Sequence, residues 1–212
     1  MAHDEWKIWQ LADSAFPIGG FAHSGGIEAA WRAGEIDDEP SLRRFLEGGL
    51  AQCAHAAAPL ALWAFREPAN CAEADRLCEL LLNHPIANRA SRAQGKGLLA
   101  TARQVFGIDA SFPFGHFAPA FGWVCQCLDI DLAQVPKLLL YINVRGGIST
   151  AVRLGIIGAF AGQALQAQLA AAGAKWAEAA TKIIPEDVAQ AAPVAELLQA
   201  CHDRLYSRLF QT

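Results

Sequence analysis

Apolar residues recur at three- and four-residue spacing along almost the whole chain, whereas alternating β-branched runs are scarce. This period indicates amphipathic α-helices, because a half-buried strand would need strict alternation. The chain is long enough to bury one sizeable core, and neither an internal repeat nor a low-complexity linker divides it. We therefore predict a single all-α domain over residues 1–212, built as a bundle of roughly eight to ten helices.

Glycine, proline and short polar side chains punctuate the first part of the helical pattern. The Gly19–Gly20 pair ends a first helix, and Ser24 has the chemistry to cap a second one over about residues 25–33. Ser41 can cap a third helix. Pro59 is expected to interrupt or kink this helix, because proline lacks a backbone N–H and its ring crowds the preceding turn.

The later part of the chain continues the same pattern. Helices are predicted over about residues 72–82, 86–106 and 116–128, and Asp131 can cap the next helix. Five glycines then fall within residues 146–162. Since glycine costs up to ~1 kcal/mol in a helix interior, we predict a tightly packed central helix with one break near Gly146–Gly147. Pro185 and Pro193 suit the first turns of the final helices.

Composition and charge narrow the class of protein. The chain is 53% hydrophobic and 18% charged, which suggests buried helix contacts or an apolar surface kept for a partner. Its net charge of −4 comes without a basic run, so nucleic acid is not an expected partner.

Membrane insertion and secretion are also disfavoured. The longest apolar stretch, residues 154–162, is much shorter than the ~20 residues of a membrane helix. The first ten residues lack the pattern of a signal peptide, and six scattered cysteines without secretory context indicate reduced thiols. We expect a cytoplasmic protein without a membrane partner.

The glycine-rich stretch FPIGGFAHSGGIE, residues 16–28, is the first candidate for chemistry. A phosphate-binding loop is disfavoured, because the lysine of a P-loop is missing and the Glu28 carboxylate would repel phosphate. Asp13, His23 and Ser24 are the residue types of a hydrolase triad, but no strand precedes the serine. We favour a structural role for Ser24 as a cap and for Asp13 in a helix-end hydrogen bond. For His23, structural and functional roles are equally open.

Metal ligation is not indicated by residue spacing. None of the six histidines pairs with another at i, i+4, and we expect structural roles for His55, His84 and His116. Cys125 and Cys127 point apart on a predicted helix and are interpreted as core thiols. The helix predicted over residues 86–106 carries a basic row, typical of a solvated face, with contact to a protein as the alternative. This row is Arg89, Arg92, Lys96 and Arg103.

Five motifs together resemble the UreF family of urease accessory proteins over essentially the whole chain. They are LADSAFPIGGFAHSGGIEAA, RASRAQGKGLL, FGHFAPAFGWV, TAVRLGIIG followed by GQAL, and HDRLYSRLFQT. The resemblance implies an all-α homodimer without catalytic residues of its own. It implies that the terminal segments bind a UreD/UreH-type accessory protein, that a UreG-type GTPase is then recruited, and that the complex delivers nickel to apo-urease. It implies no stably bound cofactor and no metal site, with Ni²⁺ only in transit.

Carried onto this sequence, the resemblance places partner-binding residues in its first and last motifs. The Leu-Phe pair near the end of the sequence is expected to be exposed as an apolar anchor. Arg153, in the fourth motif, is interpreted as a buried charge that needs a carboxylate partner. The partner-binding residues are Asp13, Phe21, His23, Ser24, Glu28, His202, Tyr206, Arg208, Leu209 and Phe210.

Two other functions remain open from the sequence. The basic row suggests a regulatory factor that stimulates the GTPase by inserting an arginine or lysine near the nucleotide. Ser24 and His23 suggest a small hydrolase.

Overall fold

The computed structural model describes residues 2–212, with side chains from Glu5 onward. Over this range it contains helices and turns but no strand, which confirms the all-α prediction. Short 3₁₀ turns cover residues 20–22, 68–70, 185–187 and 202–204. The α-helices are α1 (Ala2–Ala12), α2 (Ile27–Arg32), α3 (Glu39–Gln52), α4 (Ala58–Arg66), α5 (Cys71–Leu81), α6 (Pro85–Phe106), α7 (Phe117–Cys127), α8 (Gln134–Arg153), α9 (Ala159–Ala180) and α10 (Pro193–Ala200).

The core is centred on α4, α7 and α8, and glycines let neighbouring helices approach closely. At Gly122 in α7, a Cβ atom would lie 1.9 Å from the carbonyl oxygen of Ala61 in α4. At Gly95 in α6, it would lie 2.1 Å from the carbonyl oxygen of Gly115, just before α7. Any side chain at these two positions would therefore force the backbones apart. Within residues 2–212, no helix is both long and apolar enough to cross a membrane.

A π-helical turn, Cys53–Ala57, joins α3 to α4. In a continuous α-helix, the ring of Pro59 would clash with the carbonyl group of His55, four residues earlier. The wider π turn removes this clash, and the carbonyl oxygen of His55 accepts a hydrogen bond from the amide of Ala189, 3.1 Å away. The predicted interruption at Pro59 is confirmed.

The predicted break at Gly146–Gly147 is wrong, because α8 continues through both residues. Gly147 instead permits close packing: a Cβ atom there would lie 2.4 Å from Cδ2 of Leu46 in α3. The tight packing is therefore confirmed. The helix ends after Arg153 at Gly155, whose φ of 75° is the left-handed conformation that closes a helix C-terminus.

Three caps differ from the predictions. Asp38, not Ser41, caps α3: its Oδ1 accepts the amide of Ser41 at 2.8 Å, and the Ser41 hydroxyl accepts the amide of Asp38 at 3.1 Å. Ser24 does not cap α2, because two left-handed glycines intervene and the helix begins at Ile27. Asp131 accepts the amide of Ala133 at 2.9 Å, but this closes a turn before α8 begins. Pro185 and Pro193 do begin helical turns as predicted.

Candidate functional site

The first and last sequence motifs meet in the folded protein. We call residues 13–28 the opening loop and residues 201–212 the closing segment. The amide of Gln211 donates to the carbonyl oxygen of Ala22 at 2.8 Å, and the amide of Ser24 donates to that of Thr212 at 2.6 Å. Nδ1 of His23 lies 2.6 Å from Oγ1 of Thr212. Main-chain and side-chain bonds therefore join segments that lie far apart in the sequence.

Glu28, in the first turn of α2, is the central acceptor of this junction. Its side chain is fully buried, and its Oε1 accepts the amide of Leu209 at 2.7 Å. Its Oε2 accepts the amide of Phe210 at 3.2 Å and lies 3.0 Å from Nε2 of the fully buried His202. A buried carboxylate is tolerated only when it is well hydrogen bonded, and here the closing segment supplies all three donors.

Arginines connect the rim of the junction. Nη1 of Arg153 donates to the carbonyl oxygen of Phe21 at 2.5 Å, and its guanidinium carbon lies 4.3 Å from the ring centre of Phe210. Arg153 is exposed and bonds a carbonyl group and an aromatic ring, so the expectation of a buried charge with a carboxylate partner is wrong.

A second arginine contact ties the closing segment to α6. Both carboxylate oxygens of Asp203 accept from Nη2 of Arg89, at 2.9 and 3.1 Å, and Oδ1 also accepts from Arg208 at 3.0 Å. The hydrogen bond from Arg89 lowers the pKa of Asp203 below its ordinary value. The segment is thus attached to α6 as well as to the opening loop.

The expected exposed Leu-Phe pair is divided between surface and interior. Leu209 is 54% exposed, whereas Phe210 is only 4% exposed and packs beneath Arg153. The pair is split because the buried carboxylate of Glu28 binds both successive amides and so fixes the direction of the backbone. Phe21 is 70% exposed, and Tyr206 is fully exposed.

The remaining expected site residues occupy different settings. Asp13 is exposed and accepts the amide of Ala15 at 2.9 Å, which confirms its role in a helix-end turn. Arg208 is exposed, and His23 is partly buried. Burial lowers the pKa of His23 below its ordinary value. The expected site residues that lie in the interior are Ser24, Glu28, His202 and Phe210.

Asp13, His23 and Ser24 do not form the catalytic arrangement that a hydrolase would require. No hydrogen bond joins the side chains of Asp13, His23 and Ser24 to one another in the described structure. Oγ of Ser24 is buried without a hydrogen-bond partner among the described residues, and so is Nδ1 of His202. A serine without a base within hydrogen-bond reach is not an activated nucleophile.

Potential metal ligands do not cluster in the part of the chain whose side chains are described. No group of three or more His, Cys, Asp or Glu residues there could hold a metal ion. His3, one of the six histidines, lies outside those side chains. Of the two predicted core thiols, Cys125 is buried as predicted, but Cys127 is exposed at the end of α7.

A second buried cluster has a structural role. Asp75 in α5 is fully buried and accepts the amides of Phe114, Gly115 and His116 at 2.7 to 3.1 Å. His116 then lies between Glu79, 2.7 Å from Nε2, and Ser91, 3.1 Å from Nδ1. These bonds hold the turn before α7 against α5 and α6, which confirms the structural role predicted for this histidine.

The basic row on α6 is partly engaged within the protein. Arg89 binds Asp203, Arg103 lies 3.9 Å from Asp109, and Arg92 lies 5.6 Å from the ring centre of Phe114. Sequence reasoning missed the contacts of Arg153, Asp203 and Thr212. No local pattern signals these contacts, because the bonded residues are more than a hundred positions apart in the sequence. The pairs are Arg153 with Phe21, Asp203 with Arg89, and Thr212 with His23.

Comparison with known proteins gives a consistent match. The sequence model of the UreF family matches residues 36–170. Urease accessory protein F of Oryza sativa subsp. indica is 32% identical, over 99% of this chain and 86% of that protein. Urease accessory protein F of Arabidopsis thaliana is 30% identical, over 97% and 92%. Urease accessory protein UreF of Arthrobacter sp. (strain FB24) is 30% identical, over 97% and 96%.

Proposed function

Because this chain belongs to the UreF family of urease accessory proteins, we propose that it is a scaffold in the delivery of nickel to urease. Urease accessory proteins of this family are chaperone-type proteins, and the chain is not an enzyme. In this proposal, it binds a UreD/UreH-type accessory protein, recruits a UreG-type GTPase and presents both to apo-urease in the cytoplasm. Ni²⁺ is the cargo of the assembly, and no residue of this chain is assigned to its route.

The observation that carries this proposal is the junction between the opening loop and the closing segment. It leaves Phe21, Tyr206 and Leu209 exposed around a hydrogen-bonded, buried base. Large apolar side chains held by a fixed backbone are typical anchors of protein interfaces. The junction therefore supports a docking surface for the accessory partner.

Self-association has a separate candidate surface on α1. Trp6 and Trp9 are 68% and 61% exposed, and their ring centres lie 6.1 Å apart. Tryptophan is enriched among the residues that dominate binding energy at interfaces. This exposed pair supports the homodimer expected of the family.

Stimulation of the GTPase is the second candidate function. Lys96 is exposed on α6 and forms no ion pair in the described structure, so it is available to a partner. Arg89, by contrast, must leave Asp203 before it can reach a nucleotide. If the turnover rate of the GTPase does not change on addition of this chain, or changes equally with Lys96→Ala, this candidate is wrong.

Light scattering on size-exclusion eluates tests the scaffold proposal. The full-length chain and a version without residues 202–212 are measured alone and with the UreD/UreH-type protein. We expect a dimer that gains the partner only when the closing segment is present. The absence of a stable complex of the full-length chain with either the accessory protein or the GTPase, in every nucleotide state, would contradict the proposal.

A further inference from the structure

We infer that the cleft between α3, α8 and α9 is a binding site for an amphiphile with one carboxylate and an unbranched acyl chain. The cleft has a volume of about 480 Å³, within the range of about 300–1,000 Å³ that small-molecule sites occupy. None of its described lining residues belongs to the opening loop or the closing segment, and the inference does not depend on the proposed function.

The floor of the cleft is apolar. All three helices contribute to it: Leu50 comes from α3, Leu140 and Val144 from α8, and Leu169 from α9. Among the described residues, no aspartate or glutamate lines the cleft. Water in the cleft therefore lies against an apolar surface, and its displacement by a hydrocarbon chain is favourable.

The wall formed by α9 is low because its side chains are small. They are those of Ala167, Ala170 and Ala174, with Gly173 among them. A Cβ atom at Gly173 would meet no atom within 4 Å, so packing within the chain does not require glycine there. Glycine inside a helix costs up to about 1 kcal/mol relative to alanine, and close approach of a ligand to the backbone is one role that offsets this cost. Gly173 therefore indicates a ligand that lies directly on the backbone of α9.

One end of the cleft carries a cation and a hydroxyl group. Lys137 and Tyr141 lie one helical turn apart on α8, and both line the cleft and are exposed. Lys137 forms no ion pair in the described structure. An ammonium group and a phenol can both donate hydrogen bonds to one carboxylate. Because no arginine or second lysine lines the cleft, the head group that fits here has a single negative charge.

The order of residues along α8 and α9 gives the direction of the ligand. A short connection, residues 154–158, joins the two helices, so they run antiparallel and Lys137 lies at the same end of the cleft as Ala174. Gln163 lies at the other end, with its side chain exposed. Residues 163–174 span about 16 Å at 1.5 Å per residue, which suits an acyl chain of medium length. The carboxylate is then at Lys137, and the methyl end points towards Val144.

Isothermal titration calorimetry of the full-length protein with dodecanoate, below its critical micelle concentration, tests the site. We expect one molecule to bind per chain. Dodecylamine has the same chain with a positive head group, and it is expected to bind at least roughly tenfold more weakly because it meets Lys137. The absence of dodecanoate binding, or equal affinities for the two amphiphiles, would overturn the inference.

A substitution that fills the cleft tests its location. Gly173→Leu is expected to abolish dodecanoate binding without unfolding the protein, since leucine favours a helix more than glycine does. The matched control is Gly146→Leu: a Cβ atom at Gly146 also meets no atom within 4 Å, but this residue does not line the cleft. Binding is expected to be unchanged in the control. Equal dodecanoate affinity of the wild type and Gly173→Leu would refute the site.

A lysine substitution tests the head group. Lys137→Ala is expected to weaken dodecanoate binding about tenfold, because one charge-assisted hydrogen bond is lost. Lys175→Ala removes an exposed lysine of α9 that lies outside the cleft, and it is the matched control. Equal losses of affinity in the two variants would show a general attraction to positive charge and would contradict the assignment of Lys137.

Analytical ultracentrifugation distinguishes the amphiphile from a second copy of the chain as the occupant of the cleft. If the cleft binds an amphiphile, Gly173→Leu leaves the self-association constant unchanged. Loss of self-association in Gly173→Leu, together with no dodecanoate binding to the wild type, would assign the cleft to a second copy and overturn the inference.

Discussion

At the scale of single residues, buried carboxylates fix the irregular parts of the chain. Glu28 binds two amides of the closing segment, and Asp75 binds three amides of the turn before α7. Both side chains are fully buried, and each orders a stretch of backbone that lacks helical hydrogen bonds of its own. The carboxylate oxygens of Glu28 and Asp75 therefore accept loop amides that, in a helix, would bond to the carbonyl oxygen four residues earlier.

His23 gives the junction a dependence on pH. Burial lowers its pKa below the ordinary value of 6.5, so the unfolded chain binds a proton more readily than the folded one. The stability that the neutral ring contributes is present above pH 6.5 and is lost as the pH falls below it. We expect the melting temperature of the wild type to fall more between pH 7.5 and 5.5 than that of His23→Gln. Parallel curves for the two proteins would contradict this expectation.

The residues of the site were only partly predictable from the sequence. Resemblance pointed to Glu28, His202 and the end of the chain, because their motifs are distinctive. It could not tell that Glu28 and His202 are buried or that Leu209 and Phe210 face opposite ways. Those properties depend on hydrogen bonds between segments about 180 residues apart, and such bonds leave no periodic signal in either segment.

At the scale of secondary structure, the positions of the helices followed from the apolar period, whereas their caps, ends and breaks did not. Most predicted helices agree with the structure to within a few residues, since burial of one face imposes the spacing. Glycine was the main source of error. The same residue ends a helix at Gly155, moves the cap away from Ser24 at Gly25 and Gly26, and permits helix packing at Gly147. Only the surroundings distinguish these roles.

Neighbouring glycines in α8 allow a matched test of this distinction. A Cβ atom at Gly146 would meet no atom within 4 Å, whereas one at Gly147 would collide with Leu46. Gly146→Ala is expected to raise the free energy of unfolding by about 0.5–1 kcal/mol, because alanine favours the helix. Gly147→Ala is expected to lower it by about 1–3 kcal/mol, because the core must expand. Chemical denaturation measures both, and stabilisation by Gly147→Ala would show that Leu46 can move aside.

At the scale of the whole molecule, apolar side chains remain exposed in several places. Trp6, Trp9, Phe21 and Phe160 are each more than half exposed. These positions lie on α1, in the opening loop and at the start of α9. Each of these side chains is a candidate contact for a partner of the proposed scaffold.

The tryptophan pair on α1 is expected to maintain a dimer. Because both rings are exposed, Trp6→Ala with Trp9→Ala should leave the fold intact and weaken self-association by about 2 kcal/mol or more. Analytical ultracentrifugation over a concentration series measures this change. Leu80→Ala, which removes a 75% exposed side chain from α5, is the control. An equal dimer constant for all three proteins would place the contact elsewhere.

The π turn between α3 and α4 has a consequence for how this fold can vary. Such a turn is an α-helix with one residue inserted, so α3 and α4 form one rod whose second half is rotated by about 100°. The rotation adds a neighbour to the rod: α3 and α4 both pack against α8, and α4 also packs extensively against α7. Deletion of one residue from 53–57 would convert the π turn into a regular α-helical turn and remove the rotation between α3 and α4. Every side chain of α4 would then point away from its present neighbour. The length of this stretch is therefore constrained more strictly than its composition.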